Sequence, residues 1–168
     1  MDKIICQTPF LALMESEAGV GYVRAADGAL IVPVTNTGEV LFIREYSPAY
    51  QRPFLTLPGG IIEPGEGEAE AANREMQEEI GLRADNIHYL GEVYRNFKYI
   101  HAKSYAFLAR DLSESKLVGD EEDGNIQVVP LPLTALDRLI QSGELQDAGI
   151  LMAVYLAQRF LDGDWATQ

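Results

Sequence analysis

Gly60 to Leu82 reads GIIEPGEGEAEAANREMQEEIGL: a turn carrying Pro64 and Gly65, a helix-grade run, and Gly81 as its stop. Projected at about 100° per residue, Ala69, Ala72, Met76 and Ile80 form an apolar stripe, while Glu75, Glu78 and Glu79 gather within about a quarter of the circumference. One face is built for a core and the other for charge. Like charges spaced three and four apart repel, and Glu78 and Glu79 also fall in the last turn, where the helix dipole is negative. Something positive must answer them. Two candidates are Arg74, adjacent to Glu75, and a hard divalent cation such as Mg²⁺, which takes one or two carboxylates together with substrate phosphates. The bland alternative is a solvated acidic helix face.

The spacing decides between these readings. Gly60, Glu66, Arg74, Glu75, Met76, Glu78, Glu79, Gly81 and Leu82 fill a pattern of Gly, five residues, Glu, seven residues, then Arg-Glu-apolar-any-Glu-Glu-any-Gly-apolar. At ordinary residue usage, a chance match in a chain of this length is on the order of one in a million or rarer. The stretch resembles the Nudix box, complete and without substitution. That resemblance implies a pyrophosphohydrolase that cleaves a nucleoside diphosphate linked to another moiety, with Mg²⁺ held by the box glutamates and Mn²⁺ as a substitute. By position, Glu75 and Glu79 resemble the principal metal ligands, Glu78 a further ligand or water-orienting carboxylate, and Gly59 the residue whose carbonyl joins the metal shell. Arg74 resembles the arginine that keeps the carboxylates aimed. Glu66 is expected to tie the loop to the helix.

With 168 residues, 47% of them hydrophobic, the chain suffices for one compact domain and is short for two. It has no run of 18 apolar residues and no signal-peptide pattern in MDKIICQTPF, so no membrane span is expected. Cys6 is the single cysteine, which permits no internal disulfide and makes a cytoplasmic location the expectation. A net charge of −13 argues against general affinity for nucleic acid, which depends on a basic surface.

In chain order, FLALMES and GVGYVRA suggest an N-terminal hairpin. Ala29 to Val34 and Val40 to Tyr46 read as strands buried on both faces, joined by a turn at Asn36, Thr37 and Gly38. Arg44, Tyr46 and Arg52, at a strand end and in the loop after it, are candidates to hold a phosphate and a base. Ile87 to Tyr94 and Lys103 to Leu108 read as strands around a segment, Tyr94 to Lys103, with three of the 13 Lys and Arg residues and no acidic one. The cations there, Arg95, Lys98 and Lys103, could meet a diphosphate, and Phe97 or Tyr99 could stack on a base. In the acidic run Gly119 to Gly124, the resemblance implies that Glu121 or Glu122 serves as the base that activates water. Pro132 opens a helix through Gln141 with Leu136, Leu139 and Ile140 as its stripe, and Asp147 caps a longer one from Ala148 to Leu161.

This alternation fits an α/β sandwich with a mixed sheet covered on both faces. The Nudix resemblance narrows it to an α/β/α sandwich with a mixed central sheet: residues 29–168 form the hydrolase domain and residues 1–28 a β-hairpin extension. The ADP-ribose and nucleotide-sugar pyrophosphatase branch, including a bacterial group of ADP-compound hydrolases, is similar in its REY, AANRE and LVGDEE runs. That likeness implies a homodimer whose N-terminal strands exchange, acting on a small nucleoside-diphosphate substrate. Two departures stand against ADP-ribose itself: Ser47 replaces a second arginine, and no proline occurs from Asp85 to Asp120. A nucleoside triphosphate pyrophosphatase and a Nudix-derived ligand-binding regulator are the alternatives.

Overall fold

The computed structural model describes residues 1–119 and 126–164. Eleven strands and three α-helices are present among them: β1 Lys3–Gln7, β2 Leu11–Glu15, β3 Gly21–Ala25, β4 Gly28–Pro33, β5 Glu39–Ser47, β6 Arg52–Thr56, β7 Gly59–Ile61, α1 Glu68–Ile80, β8 Leu82–Val93, β9 Ile100–His101, β10 Ser104–Glu114, β11 Gln127–Pro132, α2 Leu136–Gln141 and α3 Ala148–Leu161. The central sheet is mixed, in the order β7-β4-β10-β8, with β10 parallel to β4 and antiparallel to β8. A second sheet, β11-β5-β6, is antiparallel.

Strand β4 shows why two helical layers form. Side chains alternate across a strand, so Leu30 and Val32 point to one face and Ala29 and Ile31 to the other. Leu30 and Val32 join Val40, Phe42, Leu55 and Leu57 against Ile150, Ala153, Val154 and Ala157 of α3. Ala29 and Ile31 join Phe107 and Ala109 against Ala71, Ala72 and Met76 of α1. A strand apolar at consecutive positions is therefore buried on both sides, as its composition indicates.

The outcome differs from the sequence reading at several places: β8 starts at Leu82 rather than Ile87, and β10 continues to Glu114 rather than ending at Leu108. The N-terminal hairpin is present as β2 and β3, but β1 precedes it, making a sheet β1-β2-β3-β9 in which β3 runs parallel to β9. Every residue of β1 is exposed, so it has no apolar alternation to announce it. The stripe of α1 turns on Ala71, Ala72 and Met76; Ala69 is exposed, because the small residues that let the helix approach the sheet lie further along it. Pro132 ends β11, a 3-10 turn over Leu133–Ala135 follows, and α2 buries Leu139 while Ile140 remains 44% exposed.

Candidate active site

Helix α1 is fixed at both ends. The Gly67 N–H donates to the Glu70 carboxylate at 3.1 Å, and Gly81 adopts φ 72°, a left-handed cap that glycine takes without the cost of a Cβ. The last turn has no basic residue of its own. Lys116, arriving after β10, donates to the Glu78 carbonyl, and Ser115 donates from its backbone to Gly81 O at 2.8 Å and from its hydroxyl to Gln77 Oε1 at 2.8 Å. A cation thus meets the negative helix end from outside the helix.

Arg74 organises the acidic face. Its Nε donates to Glu66 Oε1 at 2.8 Å, and Nη1 donates to Glu75 Oε1 and Glu78 Oε2, each at 2.8 Å. Nη2 donates to Glu66 Oε2 at 3.0 Å and to the Ile61 carbonyl at 2.9 Å. The bonds with Glu66 and the pair with Glu75 raise the guanidinium pKa above its ordinary value, although partial burial works against it. In return, Arg74 holds the Glu66 carboxyl below its usual range, helped by the Glu63 N–H at 3.0 Å. Glu66 therefore ties loop to helix.

Strand β7 lies against this face through two glycines. The Gly59 N–H donates to Glu79 Oε2 at 2.9 Å. A Cβ on Gly60 would fall on the Glu75 carboxylate, so only glycine leaves that carboxylate its place. Glu75, Glu79 and the Gly59 backbone consequently meet at one edge, with Glu78 joined to Glu75 through Arg74. These are hard oxygen donors, the set that Mg²⁺ or Mn²⁺ takes. Among the described residues, no three acidic, His or Cys side chains gather closely enough to hold a cation unaided. The arrangement fits an ion completed by substrate phosphate oxygens, which is the ordinary mode for Mg²⁺.

Three contiguous clefts open beside this edge. The central one contains Gly59, Gly60, Glu45, Arg95 and Lys103 in its wall. A cleft of about 530 Å³ lies on one side, lined by Tyr46, Tyr50, Arg52, Phe54 and Arg95, and it shares Glu45, Thr56, Arg95 and Ile150 with the central cleft. On the other side is a cleft lined by Tyr22, Phe97, Lys98 and His101, sharing Ile100, Ala102 and Lys103 with the central one.

Of the substrate candidates, Tyr46, Arg52 and Arg95 therefore share one wall, while Phe97 and Lys98 line the far cleft. Arg52 stacks 3.8 Å from the centroid of Phe54. Arg44 is engaged elsewhere: its Nη2 donates to Glu144 Oε1 at 2.6 Å, a partner a hundred positions away that sequence could not supply. Glu121 and Glu122 lie outside the described residues. Gly60 and Phe54 were not among the substrate or metal candidates; the paired glycines before Ile61 and the aromatic two residues after Arg52 were the available signals.

The NUDIX domain model matches residues 24–153. The chain belongs to the Nudix family. Within the family it is 31% identical over 137 residues to the ADP compounds hydrolase NudE of Escherichia coli (strain K12), covering 82% of this chain and 73% of that protein. It is 26% identical to the ADP-ribose pyrophosphatase of Bacillus subtilis (strain 168), over 81% of this chain and 74% of the relative. A crystal structure of an ADP compounds hydrolase superposes with a TM-score of 0.83 at 27% identity, covering 98% of this chain and 93% of the other. The protein is a Nudix pyrophosphohydrolase with the mixed α/β architecture of that structure. Among the described residues, no helix is long and apolar enough to cross a membrane.

Proposed function

We propose that the protein is a Mg²⁺-dependent hydrolase of nucleoside diphosphates linked to a second moiety, such as ADP-ribose or an ADP-sugar. It would release a nucleoside monophosphate and a phosphorylated second product. The observation that carries this reading is the convergence of Glu75 and Glu79 on the Gly59–Gly60 edge, at the wall of a cleft that also presents Arg95 and Lys103. Carboxylates for a cation and cations for a diphosphate occupy one place. The names of the E. coli and B. subtilis relatives support the ADP-linked class.

In this reading, Glu75, Glu78, Glu79 and the Gly59 carbonyl hold Mg²⁺, with Mn²⁺ able to substitute. The ion, when bound, neutralises phosphate charge and acidifies an attacking water. Arg74 keeps Glu75 and Glu78 aimed, so that little reorganisation accompanies the reaction. Glu121 or Glu122 is proposed as the base. The Tyr46, Arg52 and Phe54 wall takes the base and ribose by stacking, and Arg95 takes a phosphate oxygen. Phe97 and Lys98 serve the second moiety, and Arg44 supports the strand end through Glu144. We further propose residues 29–168 as the catalytic domain, residues 1–28 as an extension that exchanges in a homodimer, and a cytoplasmic location.

The test is a substrate panel with Mg²⁺ present or chelated: ADP-ribose, other ADP-sugars, GDP-mannose, diadenosine compounds, NADH and nucleoside triphosphates. Metal-dependent release of a nucleoside monophosphate from a diphosphate-linked compound is expected. Preference for triphosphates, or no turnover of any compound, would contradict the proposal.

A further inference from the structure

We propose that Glu92 is a positioning residue: its carboxylate clasps the two roots of the segment between β8 and β10 and so holds the substrate-facing side chains of that segment at the clefts. The inference rests on the function proposed above. The segment leaves β8 after Val93 and returns at Ser104, residues that pair across the two strands. In between it supplies Arg95 to the central and Tyr46-lined clefts, and Phe97 and Lys98 to the far one. One excursion of the chain therefore furnishes a wall to all three clefts, and the fit of that wall to a substrate depends on how its ends are held.

The returning limb is docked on other elements. The Val23 N–H of β3 donates to the Tyr99 carbonyl at 2.8 Å, the Lys103 N–H donates to Asp27 Oδ1 at 3.0 Å, and the Lys103 carbonyl accepts from the Gly28 N–H at 2.9 Å. The outgoing limb is tied through Glu92. Its Oε2 accepts from the Tyr94 hydroxyl at 2.6 Å while its Oε1 accepts from Lys103 Nζ at 2.5 Å, so one carboxylate of β8 bridges the first and last residues of the excursion. Lys103 foremost, and then Tyr94, hold the Glu92 carboxyl below its usual range, so the clasp is charged at neutral pH. A lone exposed ion pair contributes little. Here Nζ also lies 4.6 Å from the centroid of Tyr105, the residue opposite Glu92 in the strand pairing, which turns the lysine toward β8. The ammonium thus serves to hold the segment, and Tyr94, once fixed, sets the direction in which Arg95 follows.

Steady-state kinetics on the diphosphate-linked compound turned over best by the wild-type protein, together with amide hydrogen exchange in the absence of substrate, tests this in Glu92→Ala and Glu92→Gln. Loss of the clasp predicts a KM raised about 3- to 10-fold in Glu92→Ala, with kcat and melting temperature little changed. Amides of residues 95–102 should exchange faster by a similar factor while those of α1 keep the wild-type rate. Glu92→Gln retains an oxygen for Lys103 and an amide that can donate to the Tyr94 hydroxyl, so it should restore most of both readouts. A carboxylate that only competes with the substrate for Lys103 predicts the opposite sign, since removing a negative charge near an anionic substrate lowers KM in both variants. A KM unchanged or lowered in Glu92→Ala, an equal rise in Glu92→Gln, or wild-type exchange over residues 95–102 overturns the assignment while leaving the wild-type activity standing. A wild-type protein that turns over nothing overturns the functional reading, and the assignment of Glu92 to substrate binding falls with it.

Discussion

A methyl group at position 60 would occupy the space now taken by the Glu75 carboxylate. Gly60→Ala must push that carboxylate off its place beside Arg74, and because the atoms it meets are the far end of a flexible side chain, the carboxylate rather than the backbone gives way. The variant is expected to lose metal-dependent turnover with its melting temperature little changed; wild-type turnover would mean that Glu75 is not held where the structure has it. Glu66 makes a second residue-scale prediction, through pH. Its carboxyl lies below the ordinary value of 4.5 because Arg74 donates to it. A lowered folded-state pKa means that this part of the stability is complete above about pH 4.5 and is lost as pH falls through the lower folded-state value. Wild-type melting temperature should therefore drop on acidification below 4.5. Glu66→Gln should flatten that drop, and an unaltered slope would count against the Glu66–Arg74 bond as its source.

Helices α1 and α3 were the elements most legible in the sequence, because each carries its own punctuation. Asp147 caps α3 by accepting from the Gly149 N–H at 2.8 Å and the Ile150 N–H at 3.1 Å, and the helix runs from Ala148 to Leu161 as its apolar girth indicates. Asp147→Ala should destabilise the fold by about 1 kcal/mol in urea unfolding without altering the denaturant slope. No change in midpoint would show that the cap contributes nothing. The start of α2 was less legible: prolines at 130 and 132 are compatible with a helix entry and equally with the edge strand β11, whose pairing to β5 wins. The rotation of the α1 stripe onto Ala71 has a similar origin, since periodicity gives a face only to within a residue or so and the packing of Ala29, Ile31 and Phe107 selects its centre.

At the scale of the molecule, the fold places α1 on one face of the mixed sheet, α3 on the other, and the three clefts along the ends of β4, β7 and β10. The box could be read in the sequence because its spacing is local. The walls facing it come from residues far apart in the chain: Arg52 meets Gln146 at 3.1 Å, Arg44 meets Glu144, and Lys103 stands beside Asp27. Those pairings depend on strand register, which no single segment encodes, so the sequence supplied cations without their positions. In the proposed function, the carboxylates at the Gly59–Gly60 edge form a metal-dependent hydrolytic centre. The decisive measurement is the hydrolysis rate of whichever diphosphate-linked compound the wild-type protein turns over best, against Mg²⁺ concentration, in wild type and in Glu79→Gln. Wild type should show saturable activation. Because a catalytic metal supplies several kcal/mol of transition-state stabilisation, the variant should fall by about 100-fold or more with its fold retained. Turnover that ignores Mg²⁺, or a Glu79→Gln protein as active as wild type, would mean that these carboxylates hold no catalytic metal.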